Sequence, residues 1–280
     1  MKGPKGLTGK IRLVCGIGFG LVAPALLNGQ AVCSAPHSSP TLAQSGSIRT
    51  LPAGGGWIQG AAYGQWANEF FNPNGNRQLF LADSEFLTRS IFATGAVGVY
   101  TGVELWAQVP IHTLTVESAG GDSRTTGVGD LRFAVRIGPE LVGLDFPFSL
   151  RLGAKSPGSE FPVDATILPL TEGQRDWEAS LESGYQIPDR SIYLMGWVGY
   201  RLREENHAAA RDPGDEIFAS LVAGGELGPF SWGVTADLLW GGVPKAQGFE
   251  LPGDRRRLFQ ILPTVGRRVG PGQLEFTGQL

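Results

Sequence analysis

The feature that most constrains this chain is a two-residue alternation of apolar and polar side chains between Gly127 and Lys155. The apolar positions are Leu131, Phe133, Val135 and Ile137, then Phe148, Leu150, Leu152 and Ala154, and the positions between them are Asp130, Arg132, Ala134 and Arg136, then Ser149, Arg151, Gly153 and Lys155. Because successive side chains of a β-strand point to opposite faces, the pattern predicts two strands with one apolar and one polar face each. In a soluble sandwich the apolar face would point into a core, whereas in a membrane barrel it would contact lipid.

Similar segments continue along the chain and predict eleven strands, at residues 56–65, 83–93, 99–109, 129–137, 142–155, 176–186, 191–203, 215–225, 230–240, 255–265 and 272–280. Short connections near 94–98, 138–141, 187–190, 226–229 and 268–271 alternate with long polar ones near 67–82, 110–128, 156–175, 204–214 and 241–254. Short turns on one rim and long loops on the other are typical of outer-membrane barrels. We therefore predict an all-β fold, an antiparallel up-and-down transmembrane β-barrel of about twelve strands.

The segment 230–240 predicts the height of the lipid-facing belt. Phe230 and Trp240 stand at the two ends of its apolar face, ten residues apart. At about 3.3 Å of rise per residue and a tilt of about 40°, this length spans roughly 25 Å, the distance between the aromatic girdles of such barrels. The alternative interpretation is that aromatic residues favour strands in general.

The first 35 residues differ from the rest in composition. Their only charges are Lys2, Lys5, Lys10 and Arg12, and the apolar run at 13–27 is shorter than the roughly 20 residues that a membrane-spanning helix needs. We predict a signal peptide at 1–35, a flexible lead-in at 36–55 and a barrel at 56–280, in a Gram-negative outer membrane; a membrane anchor is the alternative for the first segment. Removing residues 1–35 removes four of the 23 basic residues and none of the 26 acidic ones, leaving a net charge of −7, which disfavours a nucleic-acid partner.

The polar face of the strands supplies the candidate functional residues. We predict that the lumen is lined by Glu85, Arg89, Glu104, Arg132, Arg136, Arg151, Lys155, Glu178, Glu182, Arg201 and Asp237. These charges fit either a narrow polar pore, whose charged rows set selectivity, or a salt-bridged filling that closes the barrel. Both interpretations stay open at a size of about a dozen strands.

Catalytic and metal-binding patterns are not found in the sequence. The three histidines, His37, His112 and His207, lack metal-ligand spacing, and no Gly-x-Ser-x-Gly motif occurs. We therefore predict a protein that is not an enzyme and needs no cofactor or metal. The run Arg255 to Arg257 could contact lipopolysaccharide phosphates or form a solvated rim.

Three short segments carry a resemblance to a known family. The run from Thr126 to Ile137, the Pro110-Ile-His-Thr segment before it and the Gly173-Gln-Arg-Asp-Trp-Glu segment after it resemble outer-membrane proteins named for the meta-pathway of phenol degradation. The resemblance implies a barrel of around a dozen strands and the transport of small hydrophobic or aromatic compounds, without catalytic residues. Since bacterial barrels usually have an even number of strands, we also expect that the sequence is truncated before a twelfth strand.

The functional prediction is a monomeric outer-membrane channel that passes small solutes passively, with outer-membrane lipid and lipopolysaccharide as its surroundings. One alternative is a structural or adhesive barrel that does not transport and acts through its long outer loops. The other is a soluble periplasmic β-protein.

Overall fold

The computed structural model describes residues 49–280 apart from 72–76, 81–83, 119–120, 145–146, 163, 165–166, 189, 271 and 279–280. The predicted signal peptide, both cysteines, His37 and most of the predicted lead-in lie outside the described residues. No helix among the described residues is long and apolar enough to cross a membrane.

Seventeen strands form in the described part of the chain. They are β1 (Gly56–Ala67), β2 (Glu69–Phe71), β3 (Arg77–Leu79), β4 (Glu85–Tyr100), β5 (Val103–Glu117), β6 (Ser123–Val128), β7 (Asp130–Ile137), β8 (Phe148–Pro157), β9 (Asp176–Gln186), β10 (Ile192–Arg203), β11 (Arg211–Asp212), β12 (Glu216–Leu227), β13 (Phe230–Gly241), β14 (Lys245–Ala246), β15 (Phe249–Glu250), β16 (Arg257–Val269) and β17 (Gly272–Thr277). Two short 3-10 helices span Pro139–Val142 and Pro252–Asp254.

Twelve of these strands form one antiparallel sheet in the order β1-β4-β5-β7-β8-β9-β10-β12-β13-β16-β17, with β6 paired to β5. β5 is long enough to pair with β7 through residues 103–108 and with β6 through residues 111–116. Gly129, which separates β6 from β7, donates a backbone hydrogen bond of 3.0 Å to Pro110. β6 and β7 therefore pair with β5 as one interrupted strand. The fold is an antiparallel up-and-down β-barrel.

The two faces of the sheet have the polarity that the alternation predicts. Phe133 is 49% exposed, whereas Arg136, on the opposite face of the same strand, is completely buried. β8, β9 and β13 repeat this arrangement, with Leu152, Trp177 and Leu238 exposed. The apolar face is thus the outer surface of the barrel and the charged face is enclosed.

Several predicted boundaries need correction. β4 continues through the predicted turn at 94–98 to Tyr100, and residues 110–117 extend β5 instead of beginning a loop. Residues 142–147 precede β8, which begins at Phe148. Gly95 and Gly98 suggest a turn in the sequence, but a Cβ at Gly98 would overlap the carbonyl oxygens of Leu51 and Pro52. Gly98 is therefore needed because another backbone segment crosses β4 closely.

Candidate functional site: the enclosed face of the barrel

The end of the barrel that carries the long loops holds a network of buried ion pairs, here called the long-loop cluster. Its acidic members are Asp130, Glu172, Asp176, Glu178 and Glu216, and its basic members are Arg132, Lys155, Arg201, Arg203 and Arg256. Five carboxylates thus face five cations. The formal charges of the cluster therefore balance.

Glu172 lies at the centre of the long-loop cluster, although it belongs to the loop between β8 and β9. Its carboxylate pairs with Arg203 at 2.8 Å, with Arg256 at 3.3 Å and with Lys155. These partners come from β10, from the residue before β16 and from β8, which are well separated in the order of the sheet. The backbone is also fixed, since the Glu172 amide donates to Asp130 at 3.2 Å and its carbonyl accepts from Asn206 at 2.9 Å. This loop therefore reaches into the barrel and links opposite parts of its wall.

The charge state of Glu172 follows from its surroundings. Burial alone would raise the pKa of this carboxyl, but the combined effect of Arg203, Lys155 and Arg256 is larger and lowers the pKa well below its usual value. The side chain is therefore ionised across the physiological pH range. Removing one charge from such a buried network leaves its ion-pair partners buried without a counter-charge, which strongly destabilises the fold.

The opposite end of the enclosed face holds a smaller ionic group, here called the short-turn cluster. It consists of Glu104, Arg136, Arg151 and Glu182, all of which lie on strands. The Arg136 Nε atom lies 2.8 Å from Glu182, and its guanidinium also lies 3.6 Å from Glu104. Arg151 lies 3.6 Å from Glu182 and stacks over the Trp106 ring at 4.9 Å from its centroid. Two carboxylates again face two cations.

Residues 49–55 contact the short-turn cluster from inside the barrel. The Leu51 amide donates to Glu104 at 3.1 Å, and the carbonyl of Arg49 accepts from Arg136 at 3.4 Å. Gly54 donates to the Gly98 carbonyl at 2.7 Å, and the Leu51 side chain packs on the buried group of Ala96, Trp106 and Ala134. This segment therefore occupies the enclosed space beside β4, β5 and β7.

A third part of the enclosed face is apolar and is here called the aromatic wall. It consists of Tyr193, Met195 and Trp197 on β10 with Phe218 and Val222 on β12. The aromatic wall adjoins the long-loop cluster at Phe218, whose ring centroid lies 5.3 Å from the Arg201 guanidinium. It continues toward the short turns, and Trp197 lies opposite Glu182 of β9 in register. A mainly aromatic group of buried and half-buried side chains thus lies on the inside of the barrel.

Neutral and singly charged polar groups complete the enclosed face. The His112 Nδ1 atom lies 2.7 Å from the Ser90 hydroxyl, and Gln108 donates to Thr94 at 3.0 Å. Gln260 donates to Asp237 at 2.9 Å, and Ser220 donates to the same carboxylate. These groups are satisfied by one another. Among the described residues no cluster of His, Cys, Asp and Glu has the arrangement of a metal site.

The structure places nine of the eleven predicted lining residues on the enclosed face: Glu104, Arg132, Arg136, Arg151, Lys155, Glu178, Glu182, Arg201 and Asp237. The prediction is wrong for Glu85 and Arg89, which lie on the outer face of β4. Arg89 is exposed, and Glu85 accepts a 2.8 Å hydrogen bond from the outward-facing Trp66 indole. The inward residues of β4 include Ser90, Phe92, Thr94 and Ala96, none of them charged, so charge alone does not identify the enclosed face.

The sequence prediction missed other members of the site. Arg203 and Glu216 have the parity of the enclosed residues of β10 and β12, so a stricter use of the alternation identifies them. Glu172 lies outside the strands and has no such signal, whereas Arg256, one residue before β16, continues the inward parity of Gln260. The sequence predicts a flexible lead-in that includes residues 49–55, since Pro and Gly residues are typical of loops, whereas these residues form hydrogen bonds with the enclosed face.

The comparisons with known proteins agree with this architecture. The sequence profile of a family described as "Putative MetA-pathway of phenol degradation" matches residues 71–280. The chain belongs to this family. The fold of the family member described here is similar to the crystal structure of an outer membrane channel from Pseudomonas putida F1, with a TM-score of 0.64 and 17% identity, over 84% of this chain and 91% of that chain. No curated protein sequence matches significantly.

Proposed function

We propose that the protein is an outer-membrane β-barrel channel through which small solutes, in particular apolar and aromatic ones, pass passively. The observation that carries the proposal is an apolar outer face combined with an enclosed face that contains the aromatic wall. Membership of the family and the likeness in fold to a channel support it. Antiparallel pairing satisfies the backbone groups of neighbouring strands within the sheet, which a hydrocarbon environment requires.

The outer face supports a location in a membrane. On β13 and β16 the exposed side chains include Trp232, Val234, Leu238, Phe259, Ile261 and Val265. A soluble protein rarely exposes a continuous apolar surface of this size. Lipid would cover it without a second sheet.

The enclosed face supports the solute class. Both ionic clusters are internally neutral, so they leave few free charges for a charged solute. The aromatic wall offers ring faces and a thioether, which bind planar apolar molecules through burial and stacking. We infer that a solute travels along β10 and β12, on the side of the barrel away from residues 49–55.

Planar-bilayer recording tests this proposal. The intact protein should carry an ion current that small neutral aromatic compounds such as phenol block reversibly, because they occupy the aromatic wall. Trp197→Ala should weaken the block by about tenfold, since it removes a large aromatic contact. Trp232→Ala, which changes a tryptophan on the outer face, is the matched control and should leave the block unchanged. A current that aromatic compounds do not affect would contradict the solute class, and no current would contradict the channel.

The long loops favour a second candidate, a barrel that acts by binding a partner at the cell surface. Strands β11, β14 and β15 form a separate three-stranded sheet in these loops, and an ordered surface of this kind can present a binding site. Deleting residues 245–250, which removes β14 and β15 from this sheet, would then abolish binding without changing conductance. The absence of enzymatic activity and the monomeric state stay predictions.

A further inference from the structure

Two arginines on the outer face of β16 stack on aromatic rings of β13, one at each end of the strand pair. In the register of these strands Arg257 lies opposite Trp240, and Arg267 lies opposite Phe230. The Arg257 guanidinium carbon is 4.1 Å from the Trp240 ring centroid, and that of Arg267 is 5.7 Å from the Phe230 ring centroid. Both distances fit a cation–π contact.

The surface between these two pairs is entirely apolar. The intervening outward-facing pairs are Leu238 with Phe259, Ala236 with Ile261, Val234 with Pro263, and Trp232 with Val265. The ten-residue separation of Phe230 and Trp240 corresponds to roughly 25 Å of height at a tilt of about 40°. The two arginines therefore mark the two levels at which a bilayer passes from hydrocarbon to headgroups.

The arginines that precede and follow these two in the sequence both form ion pairs. Arg256 points inward and pairs with Glu216 at 2.9 Å, and Arg268 pairs with Glu226 at 3.2 Å. In contrast, neither Arg257 nor Arg267 forms an ion pair with any other described residue, and both are exposed. The aromatic ring orients each guanidinium, while its N–H donors stay directed to the surroundings.

We propose that each of these arginine–aromatic pairs is a binding site for the phosphate group of a membrane lipid. The inference depends on the proposed location in the outer membrane. A planar guanidinium binds phosphate through two parallel hydrogen bonds, and an aromatic side chain at the interface packs on the adjoining acyl chain. The long loops mark the outer side, so Arg257 with Trp240 binds the phosphate of lipid A. Arg267 with Phe230, near the short turns, binds the phosphate of a glycerophospholipid in the inner leaflet.

Native mass spectrometry of the detergent-solubilised full chain tests the proposal with three lipids: lipid A, dephosphorylated lipid A and phosphatidylglycerol. Arg257→Gln should reduce the bound fraction of lipid A by about tenfold, because it removes a charge-assisted contact. Arg267→Gln should reduce the binding of phosphatidylglycerol and leave that of lipid A unchanged. Arg268→Gln, which removes an exposed arginine that already has a carboxylate partner, is the matched control and should change neither.

Heat-modifiable migration on a denaturing gel verifies that each variant is folded. If a variant does not fold, the intact protein still tests the proposal. Recognition of the phosphate requires the intact protein to bind lipid A at least several-fold better than dephosphorylated lipid A. Equal binding of those two forms, or undiminished lipid A binding by a folded Arg257→Gln protein, would overturn the inference. If lipid binding fails these tests while the protein carries a normal ion current in bilayers, only the lipid-binding proposal is contradicted. If the unaltered protein carries no current, only the channel proposal is contradicted.

Discussion

The two ends of the barrel interior are both held by balanced ion pairs, but only the long-loop cluster includes residues outside the strands, Glu172 and Arg256. The short-turn cluster has four charges, all on strands, and its guanidinium Arg136 is completely buried. The long-loop cluster has ten charges and depends on Glu172, which a loop brings into the barrel. Strand residues cannot leave their places without unfolding the sheet, whereas a loop can withdraw. We therefore expect the short-turn cluster to contribute mainly to the stability of the fold, and the Glu172 loop to narrow the lumen at the other end.

The largest effect is expected from Arg136→Ala, at the end assigned to stability. The change leaves Glu104 buried without its cation and leaves Glu182 with only the more distant Arg151. Breaking a buried pair from one side costs about 3–5 kcal/mol. Urea unfolding in detergent measures this loss. Arg268→Ala, which breaks an exposed pair, should cost at most about 1 kcal/mol. Similar values for the two variants would show that the short-turn cluster does not stabilise the barrel.

The same difference explains how far the sequence predicts the site. Alternation assigns a face to every residue of a regular strand, so it identifies all four members of the short-turn cluster. It says nothing about a loop residue such as Glu172, because the position of that residue depends on distant partners. The run at 255–257 obeys the alternation, since Arg256 has the inward parity of Gln260 and Arg257 the outward parity of Phe259, but three successive arginines show no apolar–polar contrast from which to recognise it. Strand geometry is local, whereas the closure of the loop is a property of the assembled barrel.

A smaller effect, on conductance instead of stability, is expected when Glu172 loses its charge. The folded-state pKa of Glu172 lies below its ordinary value of 4.5. The carboxylate therefore stabilises the closed loop at pH above 4.5, and this stabilisation is lost as the pH falls toward the lower, folded-state pKa. In bilayer recordings the intact protein should open further only at strongly acidic pH. Glu172→Gln should have the higher conductance already at neutral pH.

The matched control for this experiment is Glu160→Gln, an exposed carboxylate in the same loop. It should keep the conductance and pH response of the unaltered protein. An acid response that persists in Glu172→Gln would assign the opening to another group of the long-loop cluster, such as Asp130 or Asp176. That result would show that Glu172 is not the group whose protonation opens the barrel, but the opening would still be assigned to the long-loop cluster and not to the short-turn cluster.

The smallest effect is expected from Gly98→Ala, which tests whether residues 49–55 contribute to closure at the short-turn end. The added methyl group would overlap the carbonyl oxygens of Leu51 and Pro52, so the segment must shift while every charge of the cluster is retained. Gly60→Ala is the control, because a Cβ there would have no neighbour within 4 Å. If the segment narrows the lumen, Gly98→Ala alone raises the conductance, with a stability loss of about 1–3 kcal/mol from overpacking. An unchanged conductance in a folded Gly98→Ala barrel would mean that the lumen is narrowed only by the Glu172 loop, and the short-turn end would then serve stability alone.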